Sequence, residues 1–177
     1  MMKYLTTFFI LLTTIIQAQI PQKEIPADYG YIVKIGQQAP DFTAQTTNGQ
    51  SIQLSELKGK VVMLQFTASW CGVCRREMPH IEKEIWQKHK NNPNFALFGV
   101  DLDEPKETVE KYAKLIPVSY PMLLDPKGKI FYSYAEKGAG VTRNVIIDQT
   151  GKIVFMTRLF KQEEFDEMKE VIDKLLE

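Results

Sequence analysis

Hydrophobic and polar positions along the chain predict alternating strands and helices. The dipeptide Asn48-Gly49 is a strong turn signal and predicts a hairpin over residues 38–54. The near-continuous apolar run over residues 60–66 is typical of a strand that is buried on both faces. From residue 71 to about residue 90, apolar side chains recur at helical spacing. The first half of the chain therefore predicts a hairpin, a buried strand and a helix.

The second half of the chain continues this alternation. Strands are predicted at 94–100, 121–124, 145–147 and 153–156, and helices at 105–115 and 162–176. The segment 126–135 fits either a helical turn or a hairpin arm. Pro79 falls inside the first helix and should interrupt and kink it. This order predicts an α/β sandwich, in which helices flank a mixed central sheet that carries an added N-terminal β-hairpin.

The N-terminus has the pattern of an export signal. A lysine at position 3 precedes an apolar stretch over residues 5–16, and Ala18 offers a cleavage point. We predict a signal peptide at 1–18, a leader arm at 19–36 and one domain at 37–177. The alternative is an uncleaved membrane anchor, but the stretch is short for a span. Export would place the protein in the periplasm or at the outer face of the cytoplasmic membrane, where disulfides persist.

Charge excludes some partners. The 22 basic residues are balanced by 22 acidic ones, and no basic stripe indicates a nucleic-acid partner. Asp101, Asp103 and Glu104 follow a strand, and we interpret them as a solvated loop, not a cation site. His80 and His89 do not share a face with the cysteines, so no metal site is predicted. We see no dimerisation arm and expect a monomer.

The two cysteines, Cys71 and Cys74, form a C-x-x-C motif between a buried strand and a helix. A helix N-terminus favours the thiolate over the thiol, so Cys71 should be the nucleophile. Cys74 lies one turn further on and is placed to resolve a mixed disulfide. A structural disulfide is the alternative, but so short a loop would stabilise the fold little. The motif therefore predicts a thiol–disulfide oxidoreductase whose redox group is its own cysteine pair, with no other cofactor.

Residues 70–79 read Trp-Cys-Gly-Val-Cys-Arg-Arg-Glu-Met-Pro. They resemble the W-C-x-x-C-[RK]-x-E-x-P signature of the TlpA/ResA family of extracytoplasmic thioredoxin-like proteins. The resemblance extends from about Gly36 onward and includes the Ile146-Ile147-Asp148 segment. It implies a thioredoxin-like three-layer sandwich and a reductant of exported protein disulfides, with a membrane electron donor as a partner. Some members serve cytochrome c maturation.

The resemblance also implies roles for neighbours of the cysteines. Glu77 matches an acidic position that exchanges protons with the second cysteine when it is buried, and the alternative is an exposed glutamate in the first helical turn. Trp70 would shape the substrate surface, or else be a plain core aromatic. Gly72 and Val73 would line the substrate groove and set the redox potential through local geometry.

One position departs from the family pattern. Thioredoxin-like proteins carry a cis-proline opposite the cysteines, six residues before the position of Asp148, and Thr142 stands there instead. The bond before Thr142 is then either cis or, with a reshaped loop, trans. We expect Val141 and Thr142 to border the substrate groove and the Thr142 backbone to pair with substrate.

Two other functions remain as alternatives. A peroxiredoxin-like peroxidase would need an arginine near the start of the later strand, but Arg143 is displaced by one position and we interpret it as a surface charge. A non-catalytic binding module would be expected to have lost a cysteine.

Overall fold

A seven-stranded mixed sheet forms the centre of the protein, in a computed structural model that describes residues 24–177. The predicted signal peptide and residues 19–23 of the predicted leader arm lie outside this range. The strand order is β2-β1-β5-β4-β3-β6-β7. The strands are β1 (Thr43–Thr46), β2 (Ser51–Gln53), β3 (Val61–Thr67), β4 (Phe95–Leu102), β5 (Met122–Asp125), β6 (Arg143–Ile147) and β7 (Ile153–Arg158).

Strand directions explain the mixed sheet. The three strands β3, β4 and β5 run parallel, since helical segments connect them in sequence. The other pairings are antiparallel. Strand β1 pairs with β2 and β5, and strand β6 pairs with β3 and β7. The first two strands form the hairpin predicted at 38–54. The predicted α/β fold with a mixed central sheet and an N-terminal hairpin is confirmed.

The α-helices are α1 (Gly72–His80), α2 (Gln87–His89), α3 (Lys106–Leu115), α4 (Phe131–Tyr134) and α5 (Gln162–Leu176), and short 3-10 helices lie at Ala27–Tyr29, Leu54–Leu57 and Pro126–Gly128. A π-helical segment, Ile81–Trp86, joins α1 to α2. It begins two residues after Pro79, which has no N–H to donate to the preceding turn. The interruption predicted at Pro79 takes this form. The segment 126–135 is helical, so its alternative as a hairpin arm is wrong.

Every residue of β3 is buried, as its apolar run predicts, because both faces of the sheet are covered. Val61 and Met63 belong to a core shared with α1, α3 and α5. Val62 and Leu64 belong to a second core, which includes α4 and Val33 of the segment before β1. The two cores sandwich the sheet and fix the end of β3, from which the cysteine motif follows.

Residues 24–37 are tied to the domain by hydrogen bonds. The backbone N–H of Gly36 donates to the Ile153 carbonyl at 2.7 Å, and that of Ile32 donates to the Tyr134 carbonyl at 2.9 Å. The hydroxyl of Tyr31 donates to the Thr157 carbonyl at 2.6 Å. Within residues 24–177, no helix is long and apolar enough to cross a membrane.

We expect Leu64→Ala to destabilise the protein by about 2–5 kcal/mol, because the side chain is fully buried and its removal leaves a cavity. Leu115→Ala is the matched control, since Leu115 is 69% exposed and its truncation should change stability by less than about 0.5 kcal/mol. Denaturant unfolding of both variants measures the difference. Equal losses of unfolding free energy in the two variants would contradict the burial of Leu64.

Candidate active site

The strand β3 ends at Thr67, and a short turn leads to the first cysteine. The N–H of Cys71 donates to the Ala68 carbonyl at 3.0 Å. Helix α1 then begins at Gly72, with Cys71 as its N-cap residue. The Cys71 Sγ accepts the backbone N–H of Cys74 at 3.1 Å. The sulfur therefore occupies the position of a capping group, where free N–H groups and the helix dipole favour negative charge.

Cys71 and Cys74 are joined by a disulfide, and their Cα atoms are 5.3 Å apart. The two sulfurs differ in access: Cys71 is 7% exposed, whereas Cys74 is fully buried. A substrate from solvent can therefore reach Cys71 but not Cys74. This asymmetry matches the predicted division between an attacking and a resolving cysteine.

The carboxyl group of Glu77 lies in the protein interior, one helical turn after Cys74. The residue is 1% exposed, so the alternative of an exposed first-turn glutamate is wrong. The Asn144 side chain donates from Nδ2 to Glu77 Oε1 at 2.7 Å. Burial raises the pKa of Glu77 to about 7, although this hydrogen bond and the neighbouring Gln65 amide partly offset it. A carboxyl group that titrates near neutrality can take up or release a proton there.

The amides around Glu77 are themselves held by hydrogen bonds. Asn144 Nδ2 also donates to Thr157 Oγ1 at 2.9 Å, and the Tyr120 hydroxyl donates to Gln65 Oε1 at 3.0 Å. Sequence reasoning missed Asn144 and Gln65. The available signal was Gln65, a polar residue within the near-continuous apolar run of β3. Asn144 follows Arg143 at the start of β6, so its burial had no comparable signal.

Thr142 lies directly against the disulfide. Its Oγ1 is 3.1 Å from Cys71 Sγ and 3.3 Å from Cys74 Sγ. No peptide bond among the described residues is cis, so the bond before Thr142 is trans. Of the two possibilities left open by the missing proline, the structure has the trans one. Val141 is also buried, at 3% exposure.

The surface beside Cys71 is formed by residues of the motif itself. Trp70 is 64% exposed, so its alternative as a core aromatic is wrong. Gly72 is exposed and Val73 is half-buried on the first turn of α1. The structure thus places all five predicted groove residues, Trp70, Gly72, Val73, Val141 and Thr142, within the motif or on the segment that contacts its disulfide.

The turn before the motif is held from two sides at Ser69. Glu104 accepts the Ser69 N–H at 2.5 Å and the Ser69 hydroxyl at 2.6 Å. On the other side, Arg75 Nε donates to the Ser69 carbonyl at 2.9 Å. These contacts fix the backbone that leads into Trp70 and Cys71.

The interpretation of Asp101 and Glu104 as part of a solvated loop is wrong. Asp101 is fully buried at the end of β4, and Glu104 is half-buried against Ser69. Burial, together with the nearby Glu104 carboxyl, raises the pKa of Asp101 to about 8. Asp103, by contrast, is exposed. The error arose because a polar residue at a strand end does not show whether a neighbouring turn covers it.

The interpretation of Arg143 as a surface charge is also wrong. The side chain is 1% exposed, and its guanidinium lies 4.6 Å from the centre of the Tyr31 ring. The arginine is therefore packed in the protein interior against an aromatic ring.

Each histidine contacts a carboxylate, His80 within its own helical segment and His89 across to α5. His80 Nδ1 is 3.0 Å from Glu84, and His89 Nε2 is 3.0 Å from Asp173. Among residues 24–177, no three His, Cys, Asp or Glu side chains are grouped so that they could hold a metal ion.

Comparison with known proteins identifies the family. Residues 35–156 match the model of the AhpC/TSA family, which is more than half of the chain. The chain belongs to the AhpC/TSA family. Thiol-disulfide oxidoreductase ResA of Bacillus cereus is 32% identical to this AhpC/TSA member over 122 residues, 69% of this chain and 68% of that relative.

This AhpC/TSA member is also similar to solved structures. A candidate protein disulfide isomerase of Bacteroides thetaiotaomicron is 59% identical, with a TM-score of 0.81, over 83% of this chain and 92% of that one. A candidate thiol:disulfide interchange protein DsbE of Chlorobium tepidum is 28% identical, with a TM-score of 0.71. The match covers 82% of this chain and 99% of that one. The predicted resemblance to ResA and the thioredoxin-like fold are confirmed. With both cysteines present, this AhpC/TSA member is a thiol–disulfide oxidoreductase.

We expect Glu77→Gln to change how stability depends on pH. The pKa of Glu77 rises from an ordinary 4.5 to about 7 in the folded protein. Between these values the folded protein holds a proton that the unfolded chain has released, so wild-type stability falls as pH rises. Glutamine does not titrate, so the variant should gain about 3 kcal/mol relative to wild type between about pH 4 and pH 8, at about 1.4 kcal/mol per pKa unit.

Denaturant unfolding of the oxidised proteins across this pH range measures the change. Glu163→Gln is the matched control, because Glu163 is exposed on α5. The control should follow the wild-type pH dependence. A constant difference between Glu77→Gln and wild type at every pH would contradict the raised pKa.

Proposed function

We propose that this oxidoreductase acts outside the cytoplasm as a reductant of disulfides in exported proteins. The observation that carries the proposal is the cysteine pair at the start of α1. Cys71 alone reaches the surface, Cys74 is fully buried, and a buried carboxyl group follows one turn later. This arrangement separates attack, resolution and proton transfer among three side chains, Cys71, Cys74 and Glu77.

The reaction begins from the reduced pair. The Cys71 thiolate attacks one sulfur of a substrate disulfide, a new S–S bond forms, and the other substrate sulfur leaves as a thiolate that takes a proton. Cys74 then attacks Cys71, which releases the second substrate thiolate and restores the Cys71–Cys74 disulfide. Two electrons pass to the substrate, and an external dithiol donor must return them to the pair.

Glu77 is the proposed proton acceptor for Cys74. A buried thiol must lose its proton to attack, and Cys74 is fully buried away from water. The Glu77 carboxyl group follows one turn later on the same helix, and burial raises its pKa to about 7. It can therefore hold the proton during resolution and release it near neutral pH.

The proposed substrate groove runs between Trp70 and the segment Val141–Thr142. The exposed indole of Trp70 offers an apolar contact beside Cys71. The Thr142 carbonyl accepts the Leu159 N–H at 3.1 Å within the protein itself. Because this carbonyl is occupied, we propose that backbone pairing with an extended substrate centres on Val141 and not on Thr142, where the sequence had placed it. Gly72 and Val73 would form the opposite border.

The extracytoplasmic location is proposed from the N-terminal sequence pattern, namely a lysine, an apolar stretch and Ala18 at a cleavage point. Exported protein thiols and a membrane electron donor are the proposed partners. Cytochrome c maturation is one pathway class in which such a reductant acts. We propose a monomer that needs no cofactor or metal besides the Cys71–Cys74 couple.

We expect the Cys71–Cys74 couple to have a reduction potential of about −250 mV or below, as in reductants of the thioredoxin kind. Titration of residues 19–177 against glutathione and dithiothreitol buffers measures it. A potential near about −120 mV would mark an oxidant and contradict the reductant role. The absence of any reversible couple would contradict catalysis by this pair.

The matched single-cysteine variants test the order of attack. Cys74→Ser should accumulate a stable mixed disulfide with a substrate peptide through Cys71, because the resolving thiol is missing. Cys71→Ser should accumulate far less, because Cys74 is fully buried. Equal accumulation by the two variants would contradict the assigned roles.

A further inference from the structure

The hydroxyl of Thr142 contacts both redox-active sulfurs. Its Oγ1 lies 3.1 Å from Cys71 Sγ and 3.3 Å from Cys74 Sγ, and the residue is 3% exposed. A threonine hydroxyl donates one hydrogen bond and accepts up to two. The two sulfurs are the partners that the structure gives this hydroxyl.

The Thr142 backbone is held in place independently of the disulfide. The residue directly precedes β6, and its carbonyl accepts the Leu159 N–H at 3.1 Å. Arg143, the next residue, pairs in register with Phe66 on β3 and with Arg158 on β7. The hydroxyl is therefore carried by a strand end that backbone pairing holds without the disulfide.

We propose that the Thr142 hydroxyl is a catalytic hydrogen-bond donor that stabilises the Cys71 thiolate. This proposal rests on the proposed function, because it concerns the reduced pair. Reduction adds two electrons and one proton to the disulfide, which yields a Cys71 thiolate and a Cys74 thiol. The single hydroxyl proton then bonds to the charged sulfur, and the hydroxyl oxygen can accept the Cys74 S–H.

The hydrogen bond strengthens on reduction. A disulfide sulfur is neutral and a weak acceptor, whereas a thiolate carries full charge, and hydrogen bonds to charged groups are about twice as strong as neutral ones. Thr142 therefore favours the reduced state over the oxidised state. It adds to the Cys74 N–H, which already contacts Cys71 Sγ at 3.1 Å. A proline at this position, as in the family pattern, would provide no such donor.

The test compares Thr142→Val, which keeps the side-chain shape without the hydroxyl, with Thr142→Ser, which keeps the hydroxyl. In Thr142→Val the equilibrium constant for reduction by glutathione should fall about tenfold, equivalent to about 30 mV for this two-electron couple. The pKa of the Cys71 thiol, followed by thiolate absorbance in the reduced protein, should rise by about one unit. Thr142→Ser should stay close to wild type in both measurements.

Thr67→Val is the matched control for loss of a buried hydroxyl near the site. The Thr67 Oγ1 is 3.0 Å from the Tyr112 hydroxyl and 3.5 Å from Met78 Sδ. This control should leave the Cys71 pKa and the potential unchanged, and thermal unfolding shows whether each variant is folded.

The outcomes separate this inference from the proposed function. A reversible couple in wild type with an unchanged potential and pKa in Thr142→Val would overturn the role of Thr142 alone. Equal shifts in Thr142→Val and Thr67→Val would also overturn it, since the effect would then not depend on contact with sulfur. A wild-type protein without a reversible couple would instead refute the proposed function.

Discussion

The burial of the Glu77 carboxyl group is the constraint on which the rest of the site depends. Removing a carboxylate from water is costly, and the cost appears as a pKa raised to about 7. The fold meets this cost with polar side chains from the neighbouring strands β3 and β6. Asn144 of β6 donates to the carboxyl group, and Gln65 of β3 lies beside it, held by Tyr120. Both strands therefore carry polar residues at buried positions.

The same two strands also position the groups that contact the sulfurs. The strand β3 delivers Cys71 to the start of α1, and the segment before β6 places the Thr142 hydroxyl against both sulfurs. Glu104 and Arg75 hold the intervening turn at Ser69. The site thus rests on strand ends and a helix start, which are supported by the two cores of the sheet. Such rigid support keeps the reacting groups within reach of each other.

Periodicity and the cysteine motif predicted the fold and the centre of the site. The apolar run of β3 and the Asn48-Gly49 turn give local signals that tertiary structure reinforces. The environments of Asp101 and Arg143 were not predictable in this way, because a charged residue within or beside a strand gives no local sign of being buried. Thr142 shows the same limit, since its position indicated a missing proline but not the contact of its hydroxyl with sulfur.

The proposed proton transfer from Cys74 to Glu77 is tested most directly by the pH dependence of the resolution step. Mixing the reduced protein with a chromogenic aromatic disulfide gives two releases of thiol. The rate of the first release depends on the concentration of the aromatic disulfide and reports attack by Cys71. The second release is unimolecular, and its rate reports attack by Cys74. The second rate should rise with pH through an inflection near 7, and Glu77→Gln should be slower and lack this inflection. An identical rate and pH profile in Glu77→Gln would contradict the account.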